Sequence, residues 1–243
     1  MGRRRSIEAF SAPEKVAAYD ADMELMHPNR SRMVEVAIEV LPFEADAALT
    51  ALDLGAGSGY FTAMFLKAYP RAKVVAVDGA EAMLELARAR LGEKAARVEL
   101  VGGEFRDLRA LVTRPDGFDV AYSSYALHHL GPAEKAALVS DVVTLLRPGG
   151  WFLNADIVVA ESPEVEARFQ ELRVDGIVRR AAGADRRFVD REAARRYLDE
   201  MEASSGDQPV TLAEELGVLR EGGLRDVAAY WLEYREAVTG GRR

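Results

Sequence analysis

The sequence predicts an α/β fold in which a mostly parallel sheet carries helices on both faces. Three observations predict it. From residue 49 to Val159, strand-length apolar runs alternate strictly with helix-length runs. The first strand run ends in a glycine-rich turn, "LDLGAGSGYF", residues 52–61. The chain closes on "LRDVAAYWLEYREAVTGG", residues 224–241, which reads as a strand pair. Alternating β and α elements imply parallel strands joined by crossover helices. Right-handed crossovers bring the strands' C-terminal ends to one edge, where ligands bind in such sheets.

The elements follow in order. Ser11 and Glu14 have capping-box spacing around Pro13, so a helix starts there and ends near His27-Pro28. Asn29 or Ser31 can cap a second helix with Met33, Val36, Ala37 and Val40 on one face, stopped by Pro42. "LTALDL" is a buried strand and "GYFTAMFLKAY" a helix. "AKVVAVD" and "EAMLELARARL" repeat the pair, as do "RVELV" and the short "EFRDLRALV". "FDVAYSS" is a strand, "PAEKAALVSDVVTLL" a helix with proline at its start, and "GGWFLNADIVV" a strand. The rhythm then breaks. Residues 161–203 read as helices rich in arginine and glutamate, "SSGDQP" as a loop, and "TLAEELGVLREGG" as a helix stopped by Gly222-Gly223. The expectation is one domain over residues 1–243: an N-terminal helical lid (1–45), a ligand-binding core (49–160), a helical insertion over the ligand edge (161–210), and a final helix with an antiparallel hairpin (211–243).

Composition narrows the chemistry. The 243 residues include no cysteine and three histidines, His27, His128 and His129. Disulfides, thiolate zinc sites and a cysteine nucleophile are thereby excluded, and no metal site is expected. Absent cysteine and the lack of an apolar run behind "MGRRRSIEAF" point to a cytoplasmic protein without a membrane span. The start fits the loose myristoylation pattern at Gly2 and Ser6, which a basic tail matches by chance. A net charge of −8 argues against nucleic acid as a partner. The local exception is residues 179–196, with seven arginines against Asp185, Asp190 and Glu192. It reads as a solvated helical face with i,i+4 pairs, or as a binding face for an anion or RNA.

Gly55, Gly57 and Gly59 lie between a strand and a helix, where bare backbone and a positive helix end accept a ligand. A dinucleotide fingerprint needs glycine at position 60, which is Tyr60, and a phosphate loop needs a Gly-Lys pair that is absent. Asp53 ends the first strand, where a buried acid caps loop N–H groups or meets a cation. Asp78 ends the second strand, where it accepts from ribose hydroxyls or caps the next helix.

The segments "LDLGAGSGYFT", "VVAVDGAEAML", "VGGEFRDL", "FDVAYSSYALHHL" and "LLRPGGWFLNADI" resemble class I S-adenosylmethionine-dependent methyltransferases in order and spacing. The likeness covers residues 49–160 and extends to the final hairpin. "YDADMELMHPN" and the aromatic hairpin suggest the neighbourhood of the wobble-uridine and carboxy-S-adenosylmethionine enzymes. The resemblance implies a Rossmann-like, seven-stranded sheet with S-adenosylmethionine as cofactor. It implies that Asp53, Gly55, Gly57 and Gly59 surround the methionine part, that Asp78, with Gly79 beside it, binds the ribose, and that Met83 packs on the adenine. Glu104, where the family more often has aspartate, and Phe105 meet the adenine edge. Ser123 lies beside the methionine part and the substrate. Tyr19 lines the methyl pocket from the lid, with His27 and Arg30 as further lid residues. His128 is the candidate base.

The resulting expectation is methyl transfer to a small-molecule acceptor. Its rivals are a tRNA-modifying methyltransferase, a non-catalytic cofactor-binding scaffold, and a nicotinamide oxidoreductase, which Tyr60 disfavours. Trp231 and Tyr234 are read as core or as homodimer contacts.

Overall fold

The computed structural model describes Ile7, Phe10 and residues 13–243, with the side chains of Ile7, Phe10 and residues 16–243. Helices α1 (Pro13–Met26) and α2 (Arg30–Glu39) precede the alternating part. That part runs β1 (Thr50–Leu54), α3 (Tyr60–Ala68), β2 (Lys73–Asp78), α4 (Glu81–Leu91), β3 (Val98–Gly102), α5 (Leu108–Leu111), β4 (Phe118–Ser124), α6 (Pro132–Leu145) and β5 (Leu146–Ile157). Helices α7 (Pro163–Ala181), α8 (Arg191–Ser205) and α9 (Leu212–Glu221) follow, then β6 (Arg225–Glu233) and β7 (Glu236–Arg242).

The seven strands form one sheet in the order β3-β2-β1-β4-β5-β7-β6. β1 to β5 are parallel, and β7 runs antiparallel to both β5 and β6. The expected Rossmann-like sheet with an antiparallel terminal pair is what forms. The chain winds from β1 outward to β3, then returns to place β4 on the other side of β1. That reversal opens a crevice at the C-terminal ends of β1 and β4.

Side chains alternate across the sheet, and the alternation sorts the core. Ala51, Val74, Val120 and Leu153 pack with Met33 of α2 and Phe65 of α3. Their neighbours Leu52, Val75, Ala121 and Phe152 pack on the opposite face with Leu138 of α6 and Leu219 of α9. Asp53 shares the face of Ala51 and lies under α3, where its carboxylate meets the Thr62 hydroxyl at 2.6 Å. A third cluster joins Met26 of α1 to Val174 and Ile177 of α7, Phe188, and Leu198 of α8, fastening the post-β5 helices to the N-terminal ones. Among the described residues, no helix is long and apolar enough to cross a membrane.

Local departures have local causes. Asn29 precedes α2 without a side-chain cap, because its amide donates to Glu236 of β7 at 3.0 Å. "EFRDLRALV" forms only a 3₁₀ turn, Phe105–Asp107, and one α-turn. β5 starts at Leu146 instead of Gly149, with a register shift against β4 between Phe118 and Val120. Tyr234 is 54% exposed at the β6–β7 turn, so it is not core. The Ser11 cap and the Gly2 pattern lie outside the described residues.

Lys135 of α6 is buried and donates to Glu215 of α9 at 2.6 Å, and Asn154 of β5 donates to the other Glu215 oxygen at 2.9 Å. This polar knot fixes two helices on the sheet. Lys135→Met leaves Glu215 buried without its cation and should cost ~3–5 kcal/mol in urea unfolding. The double variant Lys135→Met/Glu215→Leu should lose clearly less, because both buried charges are gone.

Candidate functional site

The crevice at the β1–β4 switch is a half-open pocket. The glycine-rich turn forms one wall. Gly55 and Ala56 donate to Val77 O at 2.9 and 3.1 Å, folding the turn back on β2. Gly55 has φ +73°, and a Cβ there would come within 2.4 Å of Ala126 Cβ. Gly57, at φ +53°, lines the pocket, where its added Cβ would sit 3.6 Å from the Tyr19 hydroxyl and 3.7 Å from Met83. Gly59 is off this wall. Its bare Cα instead lets α3 approach α4, with Ala87 Cβ 3.0 Å from where a Cβ would stand.

Asp78 lines the pocket and holds the turn: Oδ2 accepts from the Gly57 N–H at 2.8 Å and Oδ1 from the Ala80 N–H at 2.9 Å. Burial raises its pKa, and these backbone donors oppose the rise. Asp78 thus ties down the glycine turn, but it does not cap α4 as expected: the N-cap is Ala80, without a side-chain cap bond, and the Asp78–Ala80 bond is an Asx turn ahead of the helix. Each oxygen keeps a second lone pair for a ligand. Gly79, Met83, Glu104 and Phe105 complete the wall, and Glu104 accepts from Arg106 at 3.0 Å. Ser123 is off the wall: it is fully buried and donates to Leu54 O at 2.8 Å. Its neighbour Ser124 lines the pocket instead, since successive strand residues face opposite sides.

Asp53 borders a narrow crevice with Tyr19, Arg30 and Gly57. Burial pushes its pKa up to about 7; the Thr62 bonds pull it down and the Asp78 charge adds to the rise.

A second cavity adjoins the pocket, lined by α1, β4's trailing loop and the insertion. Tyr19 and Tyr125 line both cavities and the Asp53 crevice. Tyr19 stands edge-on to Phe10, with ring centroids 5.7 Å apart. Tyr125 has φ +49°, an uncommon backbone state for a bulky residue. Its hydroxyl donates to Glu236 Oε1 at 2.6 Å, the oxygen that His27 Nδ1 meets at 3.0 Å.

His128 and His129 form a 3₁₀ turn after β4, with ring centroids 4.1 Å apart. Both line the second cavity, and His129 also lines the first. Asp156, at the end of β5, accepts from the backbone N–H of Leu127 and His128 at 2.9 and 3.0 Å. Its Oδ1 meets His128 Nδ1 at 2.6 Å. Burial alone would lower the His128 pKa, but the Asp156 charge and bond, helped by Asp207, raise it. Burial would raise Asp156, but His128 brings it to about 2. Asp207, from the loop after α8, lies 3.8 Å from His128 Nε2 and 3.0 Å from His129 Nδ1. The His129 contact is not aligned as a hydrogen bond. These three side chains are the described group that could take a cation, though none was expected.

Comparison with known proteins follows the same outline. Residues 51–150 match the family model for a methyltransferase domain. Malonyl-[acyl-carrier protein] O-methyltransferase of Methylococcus capsulatus is 33% identical over 141 residues, covering 58% of this chain and 48% of that protein. Residues 51–150 form a class I S-adenosylmethionine-dependent methyltransferase domain. Carboxy-S-adenosyl-L-methionine synthase of Shewanella sediminis is 25% identical over 105 residues, 42% of this chain and 41% of that one. Phosphoethanolamine N-methyltransferase 2 of Haemonchus contortus, solved with S-adenosyl-L-methionine, superposes with TM-score 0.65 at 17% identity. That superposition covers 94% of this chain and 45% of the other. The chain spans about half the length of the curated relatives it matches.

The pocket thus gathers Tyr19, Gly55, Gly57, Asp78, Gly79, Met83, Glu104 and Phe105. Gly59 and Ser123 stand behind it. The sequence reading missed Tyr125, Asp156, Asp207 and Glu236. Asp156 was within reach, since it is a third acid at a strand end, like Asp53 and Asp78. The arginine-rich stretch is largely paired: Arg187 with Asp22 and Asp185, Arg191 with Asp175, and Arg195 with Asp199.

Asp53 gives a signed prediction. In the folded protein Asp53 retains its proton up to about pH 7, whereas the unfolded chain releases it near 3.8. Stability therefore falls as pH rises through that window. Asp53→Asn should gain stability relative to the parent from pH 3.8 to about 7, with a constant gap above, in urea unfolding of the cofactor-free protein.

Proposed function

We propose that the protein transfers a methyl group from S-adenosylmethionine to a small-molecule acceptor held in the second cavity. One observation carries the reading. The cofactor-type pocket meets an adjoining cavity across Tyr19 and Tyr125, instead of facing only an open surface. A group transferred at that junction passes directly between two ligands.

The pocket chemistry fits the cofactor. S-adenosylmethionine, when bound, supplies a methyl group on a sulfonium. Asp78 offers two acceptor oxygens for the ribose hydroxyls. Met83 and Phe105 offer apolar surface for the adenine, and Glu104 an acceptor for its amine. The backbone of Gly55 and Gly57 lines the methionine end, with Asp53 as the acid nearest an ammonium. Gly59 and Ser123 support this set from behind. Gly79 borders the ribose side.

For the acceptor, alignment supplies most of the acceleration, and Tyr19 and Tyr125 wall the approach. His128 is the base. Asp156 holds Nδ1–H, which fixes the tautomer and leaves Nε2 to take the acceptor's proton. Asp156 and Asp207 then stabilise the imidazolium. Acceptance of tRNA has less support, because Arg187, Arg191 and Arg195, which would form much of a basic face, are paired with acids.

Calorimetry with S-adenosylmethionine, its demethylated product and NAD tests the donor. The first two should bind and NAD should not; binding of NAD alone would overturn the reading. Asp78→Ala should weaken cofactor binding about tenfold or more, since charge-assisted hydrogen bonds are lost. Once an acceptor is in hand, the rate should rise with pH through an ionisation above the ordinary histidine value of 6.5. Asp156→Asn should cut kcat by ~10²-fold or more and move that limb to lower pH. An unmoved limb would remove His128 from the role of base.

A further inference from the structure

The second cavity does not end at the histidines. Met26, His27, Ile157 and Arg173 line it and also line a third cavity, between α7 and the β6–β7 turn. In a chain of net charge −8, this third cavity is ringed by Arg173, Arg179, Arg180 and Arg235.

The facing acids do not cancel that ring. Glu236 is committed to Tyr125, His27 and Asn29. Glu233 is exposed at the turn. Behind the wall, Glu202 meets Arg173, and Glu202 and Glu166 meet Arg235, the latter at 2.8 Å. Those pairs fix Arg173 and Arg235 as a rigid floor. Arg179 and Arg180 are different. Among the described residues, no carboxylate lies within ion-pair distance of either. Arg180 donates through Nε to Leu25 O at 2.7 Å, which anchors the guanidinium by one edge. The rest of it crosses Gly176, where a Cβ would come within 2.9 Å of Nη1. Gly176 itself lines the cavity, so the missing side chain is what admits the guanidinium. His27 faces the same space; burial lowers its pKa, against the pull of Glu236.

We propose that the methyl acceptor is an amphipathic small anion, a carboxylate or phosphate on an apolar body, whose anionic end is held by Arg179 and Arg180. This rests on the methyltransferase reading and names its substrate class. The apolar body would occupy the second cavity, among Tyr19, Met23, Tyr125, Tyr197 and Met201. The anionic end passes His27 and Arg173 into the third. Guanidinium forks match planar oxyanions, and Arg179 and Arg180 present theirs at the exposed rim of the third cavity.

The test uses the full chain saturated with S-adenosylhomocysteine and a series of ω-phenyl carboxylic acids and phenylalkyl phosphates. Each acid is paired with its neutral amide or alcohol, and binding is read by calorimetry. The best acids should bind about tenfold or more tighter than their neutral partners, and added salt should shrink the gap. Arg179→Gln, and Arg179→Gln/Arg180→Gln, should weaken acids toward the neutral level while leaving S-adenosylhomocysteine affinity unchanged, and Arg179→Gln should also leave the melting temperature unchanged. Because Arg180 also holds Leu25 O, the single Arg179 variant keeps the test independent of that bond. Neutral partners binding as well as acids, no acid binding, or equal loss for both classes would overturn the proposal. Failure of S-adenosylhomocysteine itself to bind would overturn the methyltransferase reading instead.

Discussion

A carboxylate at the buried end of a strand must find donors or give up its charge, and this constraint organises the molecule. Three strands of the parallel sheet end this way at the ligand edge, and each solves the problem differently. Asp78 takes backbone N–H groups from the glycine turn and from the start of α4, which shapes the pocket. Asp156 takes three N–H groups, two of them from the loop after β4, and an imidazole, which turns that loop and aims His128. Asp53 finds Thr62 and remains short of cationic partners, so it holds its proton to about pH 7. Backbone geometry and site chemistry are settled by the same hydrogen bonds.

The second half of the site comes from far along the chain. Glu236 on β7 binds Tyr125, His27 and Asn29, joining the terminal hairpin, the loop after β4 and the turn between α1 and α2. Asp207 returns from the insertion to the histidine pair, and Arg173 of α7 stands between two cavities. A rigid sheet edge thus carries the proposed donor pocket. Side chains from helices added around it build the proposed acceptor side.

That division explains what the sequence made legible. Strand and helix periods, proline and glycine stops, and the 55–57–59 glycine spacing are local signals, and they located β1 to β4 within a residue or two. Asp78, Met83 and Phe105 are read from positions relative to those elements. Ser123 and Gly59 show where local reading stops. Both sit in the right segment, but strand alternation turns Ser123 to Leu54 O, and helix packing claims Gly59. Asp207 lies 79 residues from His128, and Glu236 lies 111 from Tyr125, so no spacing connects them. The arginines of 179–196 looked like one face; folding divides them between surface pairs with acids and the cavity wall.

The central claim is that Tyr19 and Tyr125 mark the point where donor and acceptor meet. A crystal structure of the protein with S-adenosylhomocysteine tests it most directly. The account predicts the adenine between Met83 and Phe105, the ribose on Asp78, and the sulfur at the two tyrosines, facing the cavity of His128. A sulfur directed away from that cavity, with the tyrosines clear of the ligand, would contradict it.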